Sequence, residues 1–356
     1  MATIPSCLPA AIKDHYLYAF CPNSGLKIYD ISDPTNGIDV GYADTQTCQN
    51  LALSGNYAYV VNSSSLQILN ISNPTDPVIA GHVDGIWTRV AVSGDYMYLV
   101  NLDAGSVYNI SDPAHPQLAG SFPAAAGIAL SGNYAYLPIV HGSTRPDGLM
   151  VCDFSNPAAV TTAAFVTMTN TPEKLLVAGN NLYARASDKA GIFCWIFDIS
   201  SRTNPVHLQT IWESGLNAAV AGNYLYLSGF SHLEVYDVSN PTNPPLAGWS
   251  LFNRYGSPGE LLTGLNHAYE GAGFGITVYS LGNPARPELK IEKNASATSA
   301  VLSWPTPAAA FIVQQTPDLT APNWLTVTDR SLVVGGRNQI AVPAPPARMF
   351  YRLVLE

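Results

Sequence analysis

Short apolar runs alternate with polar turns along most of the chain, and one phrase of this pattern recurs. Its clearest copies lie at residues 53–60, 92–99 and 130–137. In each copy an apolar run leads into Gly-Asn or Gly-Asp, and a Tyr-x-Tyr run follows. With four weaker copies included, the second tyrosine of the phrase falls at Tyr18, Tyr59, Tyr98, Tyr136, Tyr183, Tyr226 and Tyr269. The spacing of 38 to 47 residues between these tyrosines predicts a chain built from repeats of one structural unit.

A second phrase follows the first in every copy, and in the first copy it reads LKIYDISDP at residues 26–34. The two phrases predict four strands per repeat: the run before the glycine, the Tyr-x-Tyr run, the Leu-x-Ile-x-Asp run and a short strand after the proline. Gly-Asn and Gly-Asp favour tight hairpins because they tolerate positive φ, and an Asx-Pro pair favours the last turn. Seven such repeats predict an all-β chain whose main domain is a seven-bladed β-propeller.

The repeat ends near Pro287, and the residues that follow form a different pattern. Their apolar segments include Leu-Ser-Trp-Pro at 302–305, an Asn-Trp pair at 323–324 and Phe-Tyr-Arg-Leu at 350–353. These segments predict a small C-terminal β-sandwich-like module. We therefore expect two domains, a propeller over residues 1–288 and the module over residues 289–356.

Composition excludes several classes of protein and partner. Hydrophobic residues make up 47% of the chain and charged residues 12%, which excludes disorder as a description of the whole chain. The net charge of −9 without a basic block argues against nucleic acid and against an anionic membrane surface as partner. No apolar run reaches the roughly 18 residues that a transmembrane helix requires.

The two phrases resemble the LVIVD repeat, a family of bacterial and archaeal extracellular proteins. The resemblance covers about residues 8–288 and implies a β-propeller and a secreted or cell-surface location, but little about activity. The aspartate at the end of the third strand is replaced by Asn70, Asn109 and Ser280. This variation favours a structural role for that position over a metal-binding or catalytic one.

The C-terminal residues resemble a fibronectin-type-III-like module of secreted proteins from Verrucomicrobia-like bacteria. A module of this kind implies spacing, docking or attachment. The first residues of the chain lack the basic region and the apolar core of a signal peptide. Either the protein is cytosolic, or a signal peptide has been removed from this sequence, and the two resemblances favour the second alternative.

The five cysteines lie at positions 7, 21, 48, 152 and 194, and none forms a close metal-ligand pair. We accordingly expect no metal and no cofactor. Cys7 and Cys48 are one repeat apart and occupy equivalent places in neighbouring blades. The spacing leaves open whether these two residues form a disulfide or remain separate buried thiols.

The candidate ligand site is the mouth of the propeller channel, where equivalent residues of all seven repeats meet. Nine residues before the second tyrosine lie Pro9, Asn50, Arg89, Gly127, Lys174, Asn217 and Glu260. Loop residues add charge and aromatic rings, and the longest such loop runs through His141. The predicted ligand-binding residues are Asn50, Trp87, Arg89, His141, Glu173, Lys174, Trp212, Asn217, Tyr255 and Glu260. Aromatic platforms beside a few polar groups suit a sugar or another polar organic ligand.

Three functions fit these residues. The first is an extracellular or cell-surface binding propeller that holds a glycan or a protein partner at its mouth. The second is a polysaccharide-active hydrolase or lyase that uses Arg89, Lys174 and the nearby glutamates, although no hydrolase, zinc-protease or nucleotide-binding motif occurs. The third is a structural protein of surface assemblies. We assign no catalytic residue, and the mouth charges could equally pair with one another around a solvent-filled channel.

Overall fold

The computed structural model describes most of the chain, and its contacts divide the chain into two compact units, Met1–Tyr279 and Ser280–Glu356. The described residues are 3–5, 7–21, 24–34, 36–101, 103–139, 147–213, 215–229, 232–251, 260–264, 267–272, 275–280, 289–293, 299–305, 311–318, 324–327, 332–334, 337–343 and 349–355. The contacts divide the chain after Tyr279, and the sequence predicts the boundary after residue 288. Residues 281–288 are outside the described part. The described elements are all strands, and no helix long and apolar enough to cross a membrane occurs among them.

The strands of the first unit form sheets of four antiparallel strands in chain order. The exception is the N-terminal strand β1 (Thr3–Pro5), which joins the last sheet. The others are β2 (Leu8–Lys13), β3 (Tyr16–Cys21), β4 (Gly25–Asp30) and β5 (Ile38–Ala43) in sheet S1; β6 (Cys48–Ser54), β7 (Tyr57–Asn62), β8 (Ser65–Asn70) and β9 (Val78–Asp84) in S2; β10 (Arg89–Ser93), β11 (Tyr96–Val100), β12 (Gly105–Asn109) and β13 (Gln117–Phe122) in S3; β14 (Ala129–Ser131), β15 (Tyr134–Ile139), β16 (Gly148–Asp153) and β17 (Thr161–Thr167) in S4; β18 (Lys174–Ala178), β19 (Asn181–Asp188), β20 (Gly191–Asp198) and β21 (Val206–Glu213) in S5; β22 (Gly215–Ala221), β23 (Tyr224–Gly229), β24 (His232–Asp237) and β25 (Leu246–Leu251) in S6; and β26 (Leu261–Gly264), β27 (His267–Ala272) and β28 (Gly275–Ser280) in S7.

In sheets S1 to S6 the first hairpin turns at a residue with positive φ, as the Gly-Asn and Gly-Asp pairs predict. Gly55, Gly94 and Gly132 have φ values of 53°, 56° and 59°, a region that is open to glycine because it has no Cβ. The first repeat has Asp14 at this place, with φ of 54°. The first repeat therefore keeps the hairpin although it lacks the glycine, and Asp14 adopts a backbone conformation that residues other than glycine rarely adopt.

The Asx residue that ends the third strand caps the turn that follows it. Its side-chain oxygen accepts a hydrogen bond from the backbone N–H two residues later, at 2.8 Å in Asp30 and 2.9 Å in Asn70. The same bond recurs at Asn109, Asp153, Asp198 and Asp237. Aspartate and asparagine both supply this oxygen, which gives the position a structural role and explains why the two residue types alternate there.

Neighbouring sheets pack face to face through the tyrosines and aliphatic residues of their second and third strands. Tyr18, Tyr136 and Tyr269 are almost completely buried, and burial is the main cause that raises the pKa of each to about 12. The core clusters join residues of adjacent sheets, such as Tyr183 of S5 with Leu225 of S6. Both faces of a sheet are therefore apolar, and each sheet needs a neighbour on either side.

The first strands of the sheets contact one another in sequence. Contacts join β2 to β6, β6 to β10, β10 to β14, β14 to β18, β18 to β22, β22 to β26, and β26 back to β2. We call these seven the inner strands. The residues at their N-terminal starts are consequently brought together although they are far apart in the chain.

The N-terminal strand β1 links the last sheet to the first. Thr3, Ile4 and Pro5 pair with β28 of S7, after which the chain enters β2 of S1. Cys7, at this crossing, forms a disulfide with Cys21, and both lie in a core cluster shared by S1 and S7. The disulfide thus holds the chain in S1 two residues after it leaves S7.

The disulfide that was considered between Cys7 and Cys48 does not form. Leu8 pairs with Phe20 across β2 and β3, so Cys7 and Cys21 are cross-strand neighbours with Cα atoms 4.2 Å apart. Cys48 is a free thiol whose Sγ lies 2.7 Å from Thr45 Oγ1. The disulfide is therefore determined by the register of β2 with β3 within S1, and not by the equivalent positions of Cys7 and Cys48 in neighbouring sheets.

Glycines in the outermost strands allow adjacent sheets to approach closely. A Cβ at Gly41, Gly81 or Gly120 would overlap a backbone carbonyl oxygen of the next sheet. These oxygens belong to the proline turns at Pro74, Pro113 and Pro157, respectively. Strand and turn thus meet at a distance that only glycine permits.

The second unit contains two small antiparallel sheets. Its strands are β29 (Lys290–Lys293), β30 (Ser299–Pro305), β31 (Phe311–Thr316), β32 (Leu325–Thr326), β33 (Leu332–Val334), β34 (Arg337–Pro343) and β35 (Phe350–Leu355). The sheet orders are β29-β30-β34-β33 and β32-β31-β35. Leu302, Trp304, Val313 and Ile340 contribute to one core that involves strands of both sheets. Arg352 lies over the Trp324 ring, 4.2 Å from its centroid.

We expect Gly81→Ala to destabilise the protein by about 1–3 kcal/mol, the usual cost of overpacking a well-packed contact. The added methyl group would meet a backbone oxygen, which cannot rotate away as a side chain can. Urea unfolding measures the effect. Gly127→Ala is the control, because its Cβ would meet only Pro138 Cγ at an ordinary 3.6 Å, and equal losses for the two variants would refute the close-approach explanation.

We expect the Cys7→Ala, Cys21→Ala double variant to lose about 3 kcal/mol of unfolding free energy, as chain-entropy arguments give for a loop of this size. A reductant should lower the Tm of the native protein and leave that of the double variant unchanged. Hydrogen exchange should also accelerate in β28 (Gly275–Ser280), because β1, which pairs with it, is then held by three residue pairs alone. Unchanged exchange in β28 after reduction would show that the disulfide does not hold β1 in place.

Candidate functional site

The predicted polar residues lie at the N-terminal starts of the inner strands, a region that we call the mouth. Arg89 and Lys174 are the first residues of β10 and β18, and Glu260 immediately precedes β26. Asn50 and Asn217 lie in the first half of β6 and β22. Because the inner strands contact one another in sequence, these residues share one end of the first unit.

Lys174 and Glu260 form an ion pair across the mouth. Lys174 belongs to S5 and Glu260 to S7, so the pair passes over the intervening sheet S6. The Lys174 side chain is 21% exposed and the Glu260 side chain 41%. The pair therefore remains within reach of solvent and of a ligand.

A second charged group lies beside this pair. Glu173 forms an ion pair with Arg185 and accepts a hydrogen bond from Ser187. Arg185 is the cross-strand partner of Lys174, and its side chain is only 6% exposed. Burial tends to raise the pKa of Glu173, but the bonds from Ser187 and Arg185 outweigh it, and the pKa lies below its ordinary value.

Asn50 and Arg89 differ in how they are used. Asn50 Oδ1 accepts a hydrogen bond from the backbone N–H of Val90 at 2.9 Å, which ties S2 to S3. Arg89 is exposed, and its Nη1 donates to the carbonyl of Thr88 at 2.9 Å. Asn217 is half-buried and pairs in register with Ser228 of β23.

Of the predicted aromatic residues, Trp87 is buried and Trp212 lies on an outermost strand. Trp87 is 8% exposed and packs in the core shared by S2 and S3. Trp212 is 61% exposed but belongs to β21, three strands from the inner strand, which at the usual strand spacing is about 14 Å. His141 and Tyr255 lie outside the described residues.

Sequence reasoning missed Arg185 and Ser187, although a signal was present. Arg185 lies two residues after the repeat tyrosine, where the first four repeats have Phe20, Val61, Val100 and Pro138. An arginine in place of an apolar residue at the same repeat position marks a changed environment. Comparing the repeats on both sides of the tyrosine would have found it.

The arrangement offers donors and acceptors fixed in place by their mutual pairing. It contains two cations and two carboxylates in paired form and one exposed guanidinium. Among the described residues, no group of three or more His, Cys, Asp or Glu side chains could hold a metal ion. The described groups of the mouth can form hydrogen bonds and ion pairs with a ligand.

Comparison with protein families identifies the repeat. The LVIVD repeat matches residues 10–45, 47–85, 84–123, 124–167 and 216–250. These five matches cover more than half of the chain. Among curated proteins, no sequence matches this chain.

Solved structures resemble the fold at low sequence identity. The computationally designed protein Ika8 has a TM-score of 0.56 at 14% identity, over 77% of this chain and 83% of its own. BamB from Moraxella catarrhalis, a propeller protein, has a TM-score of 0.50 at 12% identity, over 78% and 82% of the two chains. Hydrazine synthase from Kuenenia stuttgartiensis has a TM-score of 0.57 at 11% identity, over 78% and 95%. These likenesses establish a β-propeller type of fold and carry no information on activity.

We expect Glu173→Gln to destabilise the protein by about 1–2 kcal/mol near neutral pH, since a charged hydrogen-bond acceptor of Arg185 becomes neutral. The folded-state pKa of Glu173 is lowered, so its contribution is present above the unfolded-state pKa of about 4.3 and is lost as pH falls through the folded-state value. Thermal unfolding from neutral to acid pH should show the two proteins converging in acid. A constant difference at all pH values would contradict the ionised pair.

Proposed function

Because this chain belongs to the LVIVD repeat family, we propose that its first unit is a seven-bladed β-propeller that binds an extracellular glycan at the mouth. Each of the sheets S1 to S7 is one blade, and β1 completes the last blade. The contact of β26 with β2 and the pairing of β1 with β28 support a closed ring. Closure gives every sheet the two neighbours that its apolar faces require.

A secreted or cell-surface location is part of this proposal. Disulfides persist in oxidising compartments and are rare in the cytosol. The Cys7–Cys21 bond at the closure of the ring is therefore in keeping with an extracellular protein.

The observation that carries the binding function is the pairing of the mouth charges. A glycosidase needs one carboxyl group with a raised pKa to act as general acid. Glu173 has a lowered pKa, and Glu260 is engaged by Lys174. These pairs fix donors and acceptors in position, and the lowered pKa of Glu173 does not suit a general acid, which favours binding over a hydrolase.

A glycan fits the mouth better than a protein partner does. Its hydroxyl groups both donate and accept, and the Lys174–Glu260 and Glu173–Arg185 pairs offer both kinds of partner within a small area. A stable protein interface commonly buries about 800 Å² on each side. The two ion pairs involve only four side chains, which suits one end or one short segment of an oligosaccharide.

A purely structural role in a surface assembly is less well supported. Such a role would use the outermost strands as pairing edges. In sheets S1 to S6 the pairing of the third and fourth strands is interrupted by a bulge at one repeated place, as between Ile28 and Tyr29 and between Ile68 and Leu69. Bulges of this kind bend an edge strand and hinder its pairing with another chain.

The second unit is, in our proposal, a fibronectin-type-III-like module. Its sheets of four and three strands, with orders β29-β30-β34-β33 and β32-β31-β35, are compatible with an immunoglobulin-like sandwich. Its role is spacing, docking or attachment of the propeller.

A glycan array followed by titration calorimetry tests the binding function, with polysaccharide degradation measured in parallel. We expect binding to at least one class of oligosaccharide and no release of reducing ends. Lys174→Ala should weaken binding roughly tenfold or more, the effect of losing a charged hydrogen bond. Lys27→Ala is the matched control, because Lys27 forms a comparable ion pair with Asp39 in S1 outside the mouth.

Two outcomes would contradict the proposal. Binding to no glycan, with the Arg89→Ala, Lys174→Ala double variant indistinguishable from the native protein, would remove the glycan function. Degradation that is lost in Glu173→Gln or Glu260→Gln would assign the mouth to a hydrolase or lyase.

A further inference from the structure

The polar groups of the mouth are unevenly distributed among the sheets. At the inner-strand position, S2 and S3 carry Asn50 and Arg89, and S5, S6 and S7 carry Lys174, Asn217 and Glu260 in succession. At the position two residues after the repeat tyrosine, S1 to S4 carry apolar residues, whereas S5 and S6 carry Arg185 and Ser228. One side of the mouth, formed by S5 to S7, is therefore a continuous polar sector.

Within this sector one hydroxyl lacks a partner. Ser228 is completely buried, and its Oγ has no hydrogen-bond partner in the part of the chain that the structure describes. Buried polar groups in folded proteins are nearly always hydrogen-bonded to protein or to ordered water. Ser228 is the cross-strand partner of Asn217, so its hydroxyl is a further polar group in this sector that is available to a hydrogen-bond partner.

The cations of the mouth are not equivalent. Lys174 is neutralised by Glu260, and Arg185 by Glu173. For Arg89 no carboxylate lies within ion-pair distance among the described residues, and its Nη1 donates one hydrogen bond to the Thr88 carbonyl. A guanidinium has five N–H donors in a planar fork, so most of its donors remain available to a ligand.

Arg89 also lies on the far side of the mouth from the polar sector. It belongs to S3, and in a closed ring of seven sheets S3 is opposite S6 and S7. A ligand that spans the mouth would meet the guanidinium at one end and the paired charges of S5 to S7 at the other. The guanidinium matches a carboxylate in bidentate geometry, and the paired side chains match hydroxyls.

We propose that the mouth recognises an acidic glycan, with Arg89 binding a sugar carboxylate and the polar sector of S5 to S7 binding the hydroxyls of the adjoining residue. This inference rests on the proposed glycan-binding function and adds the chemical class of its ligand. The sugar carboxylate supplies the anionic partner that Arg89 does not have among the described residues. The chain as a whole is acidic, with a net charge of −9, so the specificity is local to Arg89 and is not a property of the overall field.

Titration calorimetry with matched sugars tests this assignment. The probes are oligomers of galacturonic, glucuronic and mannuronic acid, together with the same oligomers after reduction of their carboxyl groups to hydroxymethyl groups. We expect one acidic oligomer to bind roughly ten- to a hundredfold more tightly than its reduced form, the range for a charged hydrogen bond. Arg89→Gln should remove this preference, so that the acidic oligomer and its reduced form bind with equal affinity. Arg89→Lys should retain part of it, because lysine keeps the charge but not the fork.

The control variant is Lys290→Gln, which removes the same charge from an exposed strand residue of the second unit. It should bind acidic oligomers as the native protein does, and an equal loss in Lys290→Gln and Arg89→Gln would show that only net charge matters. Equal affinity for acidic and reduced oligomers would overturn the acidic class and leave glycan binding intact. Binding to neither form, nor to any neutral glycan, would remove the proposed function itself. Equally tight binding of a polyglutamate peptide would overturn the glycan assignment in favour of an acidic peptide.

Discussion

The structure depends on face-to-face burial between neighbouring four-stranded sheets. Each sheet presents apolar side chains on both faces, and burial of a large side chain contributes roughly 1.5–3 kcal/mol. A sheet at the end of an open row would leave one such face in water. Contact between the last sheet and the first is therefore an energetic requirement of the repeat. Short elements that stabilise this contact contribute to the stability of every sheet. The three residues of β1 and the Cys7–Cys21 disulfide are these elements.

The same packing creates the candidate site without a dedicated loop. Inner strands that contact in sequence bring their first residues together, so that Lys174 and Glu260, 86 positions apart, form an ion pair. Each repeat contributes one residue to the mouth at the same structural position. A substitution at that position changes the surface offered to a ligand and leaves the hairpin and turn signals of the repeat untouched.

Much of the fold could be read from the sequence because the repeat encodes local geometry. Gly-Asn and Gly-Asp mark the first hairpin, and an Asp or Asn two residues before a Ser marks the capped turn. Both signals can be read from the sequence because each acts within a few residues. The placement of Lys174 and Glu260 at one mouth was also within reach, because aligning the repeats puts them at equivalent positions. The burial of Trp87 was not, because whether a loop aromatic turns inward depends on the space between two sheets. The partner of Cys7 was missed for a related reason: the register of β2 with β3 decides it, and spacing along the chain does not reveal that register.

Arg185 gives the best physical reason to locate function in the sector of S5 to S7. In the first four repeats the same position holds Phe20, Val61, Val100 and Pro138, which bury apolar surface without a desolvation penalty. Replacing such a residue with a guanidinium that is only 6% exposed requires compensation from Glu173, and a buried ion pair is often no more stable than a well-packed apolar side chain. Stability alone therefore gives little reason for an arginine here, since apolar residues occupy the same position in the first four repeats. Departures from a local rule of this kind tend to occur at functional sites, and here the departure lies opposite Lys174, in the sector where we propose that the ligand binds.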